Sequence, residues 1–182
     1  MNRRISLKEL ANLIEKCQRC PLWRTRIKTV PGEGPVHAKI IIIGQAPGAK
    51  ENETGRPFVG RAGRFLDQLL KIGGIARIKV FITSPVKCFP PKNRKPRKEE
   101  IDACLPYLEK QIEIVNSKKF ILLGETAFEV FFPDKNFKNS RGKFLTENGK
   151  KYFISYHPAA GIRFQKFKKI LEKDFRRLSG YF

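Results

Sequence analysis

Four cysteines and one histidine hold most of the chemistry open to this 182-residue chain. Cys17 and Cys20 form a Cys-x-x-Cys pair, a spacing that brings two thiolates within reach of one metal centre. Cys88 and Cys104 lie sixteen residues apart on either side of a basic, proline-rich loop, and no cysteine is left over. Four thiolates suit an iron–sulfur cluster or a structural zinc ion, and ligand softness does not separate the two. Buried, inert thiols are the plainer alternative. His157, one of two histidines, follows an apolar run and precedes Pro158. A histidine at such a loop can donate a hydrogen bond to a departing group or serve as a satisfied structural residue. His37 has no motif around it and reads as structural. The loop Gly44 to Gly48 is bounded by glycines, so its backbone N–H groups can approach a base or a phosphate.

The elements that must position these groups are legible from periodicity. Ser6 and Glu9 read as a capping box for a first helix ending near Cys17, with Leu7, Leu10, Ala11 and Ile14 on one face. Ile40 to Ile43 is a short, wholly β-branched run, as expected of a strand buried on both faces of a parallel sheet. After a long glycine-rich loop, Phe65, Leu66, Leu69, Leu70 and Ile72 recur at helical spacing, and Val80 to Thr83 reads as a second strand. A helix from about Lys98 to Val115 contains Pro106, where a kink is expected. Phe120 to Leu123 makes a third buried strand. Asn148-Gly149 marks a hairpin turn between Phe144-Leu145 and Tyr152 to Ser155, giving a fourth core strand and a β partner. A last helix is expected from about Arg163 to Leu178, with Phe164, Phe167, Ile170, Leu171, Phe175 and Leu178 inward and lysines and arginines outward.

These elements predict a three-layer α/β/α sandwich around a mostly parallel, four-stranded sheet, in one domain spanning 1–182. In such folds ligands bind outside the carboxyl ends of the strands, which directs attention to the loops after Ile43, Thr83, Leu123 and Tyr156.

Composition narrows the partner. The chain has 38 lysines and arginines against 17 acidic residues, a formal net charge of +21. Such an excess points to a polyanion, nucleic acid first, although a lysine-rich surface of a heat-adapted protein has the same signature. The longest apolar run is far too short to span a bilayer, so no membrane role is expected. The N-terminus is basic without the apolar stretch of a secretory leader, so an intracellular, cytoplasmic location is expected, where thiols stay reduced.

Several segments are diagnostic. Gly44-Gln45-Ala46-Pro47-Gly48 is followed by Thr54-Gly55-Arg56-Pro57-Phe58-Val59-Gly60-Arg61-Ala62-Gly63. Cys17-x-x-Cys20-Pro21-Leu22-Trp23, Lys87-Cys88-Phe89-Pro90-Pro91, Cys104-Leu105-Pro106-Tyr107-Leu108 and His157-Pro158-Ala159-Ala160 complete the set. Over nearly its whole length the chain resembles the family 4 uracil-DNA glycosylases. The resemblance implies a [4Fe–4S] cluster on Cys17, Cys20, Cys88 and Cys104 that organises the protein beside DNA rather than performing redox chemistry. It also implies a monofunctional glycosylase, acting as a monomer on DNA containing uracil or another deaminated base, which leaves an abasic site and starts base excision repair. Gln45, Ala46 and Pro47 would form the pocket floor, Phe58 the platform on which the flipped base stacks, and His157 the electrophile at the uracil O2. Gly161-Ile162-Arg163 would enter the base stack, with Lys92 and Arg94 of the basic loop on phosphates.

Two positions depart from the family. Family 4 usually has glutamate where this chain has Gln45, and glutamine can orient a water but not take its proton. It usually has asparagine where this chain has Ser84, and serine discriminates less at the uracil edge. Thr83-Ser84 and Pro90 to Arg94 look closer to the family 5 enzymes, which accept a wider set of bases. Uracil is therefore expected as a substrate, with selectivity relaxed toward mispaired uracil or hypoxanthine. The competing expectations are a damaged-DNA binding or sensing module with little turnover and a zinc-stabilised nucleotide-binding protein.

Overall fold

The computed structural model describes residues 5–180. The basic start, 1–4, on which the reading of the N-terminus partly rests, lies outside the described residues. The chain runs α1 (Leu7–Glu15), β1 (Ile40–Ile43), α2 (Ala49–Thr54), α3 (Arg61–Ile72), β2 (Val80–Thr83), α4 (Lys98–Val115), β3 (Lys119–Leu123), α5 (Glu125–Phe131), α6 (Phe137–Ser140), β4 (Phe144–Glu147), β5 (Lys150–Ser155), α7 (Pro158–Arg163) and α8 (Gln165–Arg176). The capping box at Ser6 forms as expected, with Ser6 Oγ accepting from the Glu9 N–H and the Glu9 carboxylate accepting from the Ser6 N–H.

The strands form one sheet in the order β2-β1-β3-β5-β4. β1 pairs in parallel with β2 and β3, and β3 with β5, while β4 runs antiparallel to β5. The sheet thus has five strands rather than four. The hairpin partner joins the same sheet because Asn148 and Gly149, at φ 50° and 71°, make a tight turn that sets Glu147 opposite Lys150. On the far side, Glu33 bridges to Ile82 in antiparallel fashion and exchanges both backbone hydrogen bonds with it.

Alternation along β1 explains the layers. Ile40 and Ile42 join Leu66, Leu69, Leu70, Leu171 and Phe175 on the face covered by α3 and α8. Ile41 and Ile43 join Leu108, Val115, Phe128 and Phe132 on the face covered by α4 and α5. All four isoleucines are buried, as a strand sandwiched between helices requires. A third, smaller apolar cluster of Leu22, Val86, Cys88 and Cys104 sits beside the sheet, with Ala46 packed against it.

Three helical expectations change. The long glycine-rich loop contains α2, and α4 spans Lys98–Val115 as one helix through Pro106, where a kink was expected. The last helix is split: Arg163 closes α7, Phe164 is extended at φ −137° and ψ 121°, and α8 begins at Gln165. Phe164 consequently faces outward, 55% exposed, while Leu171, Phe175 and Leu178 fill the core. α5 and α6 are too short to show a helical stripe in the sequence.

Candidate active site and cysteine pocket

The carboxyl ends of β1, β3 and β5 bring Gln45, Thr126 and His157 together. The connections leave β1 toward β2 and β3 toward β5, so the sheet has a topological switch point between β1 and β3. Gln45 Nε2 donates to Thr126 Oγ1 across it at 3.3 Å.

Phe58 and His157 face each other at this crevice, ring centroids 5.5 Å apart and planes inclined by 30°. Gly44 makes the arrangement possible. A Cβ there would stand 2.7 Å from the Phe58 ring and 3.8 Å from His157 Nε2. Phe58 itself adopts φ 52°, an uncommon left-handed conformation for an aromatic residue. Its backbone lies directly on α3 at Gly63, where a Cβ would fall 1.7 Å from the Phe58 carbonyl oxygen.

His157 caps α7. Its Nδ1 accepts from the Ala159 N–H at 3.2 Å, so in the neutral ring the proton resides on Nε2, which remains a donor toward the crevice. Burial holds its pKa down at about 4, from an ordinary value of 6.5. The imidazole is therefore neutral near pH 7 and can offer a hydrogen bond without carrying charge.

Ser84 lies at the end of β2, but its hydroxyl donates to the Val86 carbonyl at 2.7 Å within its own loop. Beneath it lies Lys87, 1% exposed, whose Nζ donates to Thr83 Oγ1 at 2.7 Å, the Ser84 carbonyl at 2.6 Å and Gln111 Oε1 at 2.7 Å. All three ammonium protons are satisfied by neutral oxygens. Burial lowers the Lys87 pKa to about 8. Gln111 continues the network by donating to the Pro31 carbonyl.

The four cysteines line one pocket, and none forms a disulfide. Cys17 follows α1, Cys20 precedes a 3-10 turn at Pro21–Arg24, Cys88 follows β2 and Cys104 lies on α4. Burial pushes the Cys104 thiol up to about 11 and raises Cys20 and Cys88 as well. Donors already address the sulfurs: Arg26 Nη1 reaches Cys88 Sγ and the Arg19 N–H reaches Cys17 Sγ, each at 3.5 Å. No group of three or more His, Cys, Asp or Glu side chains among the described residues is placed to hold a single metal ion.

The basic residues divide by environment. Lys92 is exposed, at φ 58°. Arg94 instead grips Glu100 through two hydrogen bonds of 2.8 and 2.6 Å, and Glu100, 1% exposed, also accepts from the Arg97 N–H at the start of α4. Arg94 thereby anchors the loop to the helix. Ile162 packs partly against the core and Gly161 is buried, whereas Arg163 and Phe164 are exposed.

Of the residues expected at a site, the structure brings Gln45, Phe58 and His157 to one crevice and the four cysteines to one pocket. Lys87, Thr126 and Glu51 were not among those expected. Glu51 had a readable signal, since it stands three residues after Gly48 at the start of a helix, the position of a capping acid. Thr126 had none.

The model of the uracil DNA glycosylase superfamily matches residues 31–178. The type-4 uracil-DNA glycosylase of Saccharolobus solfataricus is 45% identical over 179 residues, covering 93% of this chain and 83% of that protein. The type-4 uracil-DNA glycosylase of Pyrobaculum aerophilum is 40% identical, over 97% of this chain and 94% of that protein. A type-5 uracil-DNA glycosylase from the same organism is 30% identical, over 83% and 81%. With the switch-point crevice, the Phe58–His157 pair and the matched span in agreement, the chain belongs to the uracil DNA glycosylase superfamily.

Proposed function

We propose that the protein is a monofunctional DNA glycosylase that hydrolyses the N-glycosidic bond of uracil in DNA and so initiates base excision repair. The observation that carries this reading is the neutral His157, its Nδ1 fixed by Ala159 and its Nε2–H free to donate beside the Phe58 ring. The similarity to type-4 enzymes over almost the whole chain supports it.

A base inside a duplex is out of reach, so the nucleotide must be flipped into the crevice, where its face can stack on Phe58. As the glycosidic bond breaks, the electron pair leaves with the base and negative charge grows on the uracil O2. A hydrogen bond from His157 Nε2 strengthens as that charge develops and lowers the barrier. Water adds to C1′ and its proton passes through solvent to the departing uracil anion, leaving an abasic sugar and neutral uracil; Gln45, tied to Thr126, can orient that water but not deprotonate it. Lys87 has its three protons engaged, which is consistent with hydrolysis rather than a Schiff-base route.

DNA is held through phosphates by the exposed basic residues, Lys92 and Arg163 among them, with Arg94 supporting the loop. The apolar group entering the base stack is assigned to the end of α7 and the residue after it, where Phe164 is exposed and Ile162 is only partly so. Cys17, Cys20, Cys88 and Cys104 are the proposed ligands of a [4Fe–4S] cluster; the all-thiol donor set, the shared pocket and the N–H donors aimed at sulfur fit such a group. When bound, the cluster would brace the chain around the pocket without entering the reaction. One intracellular, monomeric domain would then contain the whole activity.

A sensing role with little turnover has one observation in its favour: the Ser84 hydroxyl is engaged inside its own loop and leaves the uracil edge less fully read. Oligonucleotides carrying U·A, U·G, single-stranded uracil or hypoxanthine separate the readings. An abasic product from uracil substrates supports the glycosylase. Tight binding without product from a cluster-loaded protein would replace it with the sensor.

A further inference from the structure

Glu51 lies on the short helix α2, outside the residues used above to recognise the base, yet its carboxylate joins the two lips of the crevice. Oε2 accepts from the Gly48 N–H at 3.1 Å, where the loop after β1 ends. Oε1 accepts from the Val59 N–H at 2.8 Å and the Gly60 N–H at 2.9 Å, the two residues that follow Phe58. Both oxygens are thus engaged with backbone from two separate segments. Hydrogen bonds to an ionised acceptor are roughly twice as strong as neutral ones.

The need for such a clamp follows from the conformation of Phe58. A bulky residue at φ 52° is strained, and it persists only where its surroundings over-determine it. Gly63 lets the Phe58 backbone sit down on α3, and Gly44 lets the ring lie over the strand end. Both are permissive: they make room without pulling. Glu51 supplies the attraction, holding the next two N–H groups against the loop that carries Gln45, Ala46 and Pro47.

We propose that Glu51 is a positioning residue for excision, holding the Phe58 ring in its stacking place and fixing the width of the crevice that receives the flipped base. This rests on the reading of Phe58 as the platform for uracil. Without the carboxylate, Val59 and Gly60 lose their common acceptor, Phe58 relaxes toward negative φ, and its ring leaves the strand end. Base capture and cleavage then suffer together, whereas phosphate contacts made by exposed lysines and arginines do not.

The test measures single-turnover excision from a U·G duplex, inhibition by free uracil and affinity for an undamaged duplex. It uses the native protein, Glu51→Ala, Glu51→Gln, Phe58→Ala and the double variant Glu51→Ala/Phe58→Ala. Glu51→Ala is expected to slow excision by about 10- to 100-fold, the scale of an ångström-sized misplacement, and to weaken inhibition by uracil. Affinity for undamaged duplex stays within about twofold. Glu51→Gln, which keeps one oxygen for one lip, falls between native and alanine. Because Glu51 acts through the ring, its removal from Phe58→Ala costs less than about twofold more.

Additive losses in the double variant overturn the proposal, as does an unchanged rate in a folded Glu51→Ala protein or a parallel loss of duplex affinity. If Glu51→Ala fails to fold by circular dichroism, Glu51→Gln and its cycle with Phe58→Ala decide by the same criterion. Absence of excision by the native protein is a different failure: it removes the glycosylase reading, and this proposal with it.

Discussion

The ammonium of Lys87 donates to the Ser84 carbonyl at 2.6 Å, so the residue that follows the second parallel strand is held from below by a fully buried cation. The same side chain holds Thr83 and Gln111. Replacing a buried charge by an apolar group is harmless only when its partners are replaced too. In Lys87→Met three acceptors remain: the Ser84 carbonyl and Thr83 Oγ1 lose the lysine's hydrogen bonds, and Gln111 Oε1 keeps only the one from the Thr83 hydroxyl. The variant is expected to lose about 1–3 kcal/mol in urea denaturation and to excise uracil more slowly. Native stability and native rates in Lys87→Met would show that the network does not brace Ser84.

His157→Ala should lower kcat by about 10²- to 10³-fold with little change in KM, since the hydrogen bond matters as charge develops. The pH dependence has a definite sign. With a native pKa of about 4 and an unfolded value of 6.5, the unfolded chain takes up the proton first as pH falls. The stability that the neutral ring contributes is complete above about pH 6.5 and is lost as pH falls from there toward 4. Denaturation of native protein and His157→Gln across that window measures it, and identical slopes would contradict a desolvated, neutral ring.

Gln45→Glu places a proton acceptor where the water is oriented, with the Thr126 hydroxyl able to turn and donate to it. A leaving-group-driven cleavage demands little of a base, so the expected gain in excision is about tenfold, below the ~10²- to 10⁴-fold usual for general-base catalysis. Ser84→Asn offers a donor and an acceptor to the base edge and should narrow the choice toward uracil over hypoxanthine. Rates on the two substrates read the two changes separately.

Purified protein is expected to be brown and to contain iron and sulfide in equal amounts. Cys104→Ala, which removes a buried thiol from α4, should bleach the colour and lower the melting temperature along with activity. A colourless native protein containing stoichiometric zinc would replace the cluster by a zinc site.

Phe164→Ala should weaken excision from duplex DNA more than from single strands, because a side chain entering the stack assists flipping only where bases are stacked. Ile162→Ala, at a partly buried position, is expected to reduce stability as well. Equal effects of Phe164→Ala on both substrates would move the wedge elsewhere.

Local chemistry made much of this legible beforehand. Four successive isoleucines admit little but a central strand, Asn148-Gly149 admits little but a tight hairpin, and His157 before Pro158 falls at a strand end. The cysteines could be grouped because thiols in such numbers and spacing rarely stand alone. What stayed hidden depends on contacts distant in sequence. Lys87 reads as one more surface lysine in a chain rich in them until the fold buries it against Gln111, 24 residues away. Phe164 reads as part of a helical stripe until the chain breaks at that residue and turns it outward. The fifth strand was visible as half of a hairpin, but not its membership of the main sheet, which is a matter of register with β5.

The bridge between Glu33 and Ile82 also bears on how these molecules behave toward one another. By exchanging both backbone hydrogen bonds with Ile82, the segment before β1 occupies the outer flank of β2 with the protein's own chain. The opposite flank is β4, only four residues long and closed by Glu147, which pairs with Lys135 at 3.6 Å. Short, charged or covered flanks deny a neighbouring chain the row of free amides on which strands add. A second chain reaching either flank therefore meets a bridge at Ile82 on one side and a short strand ending in a paired carboxylate on the other.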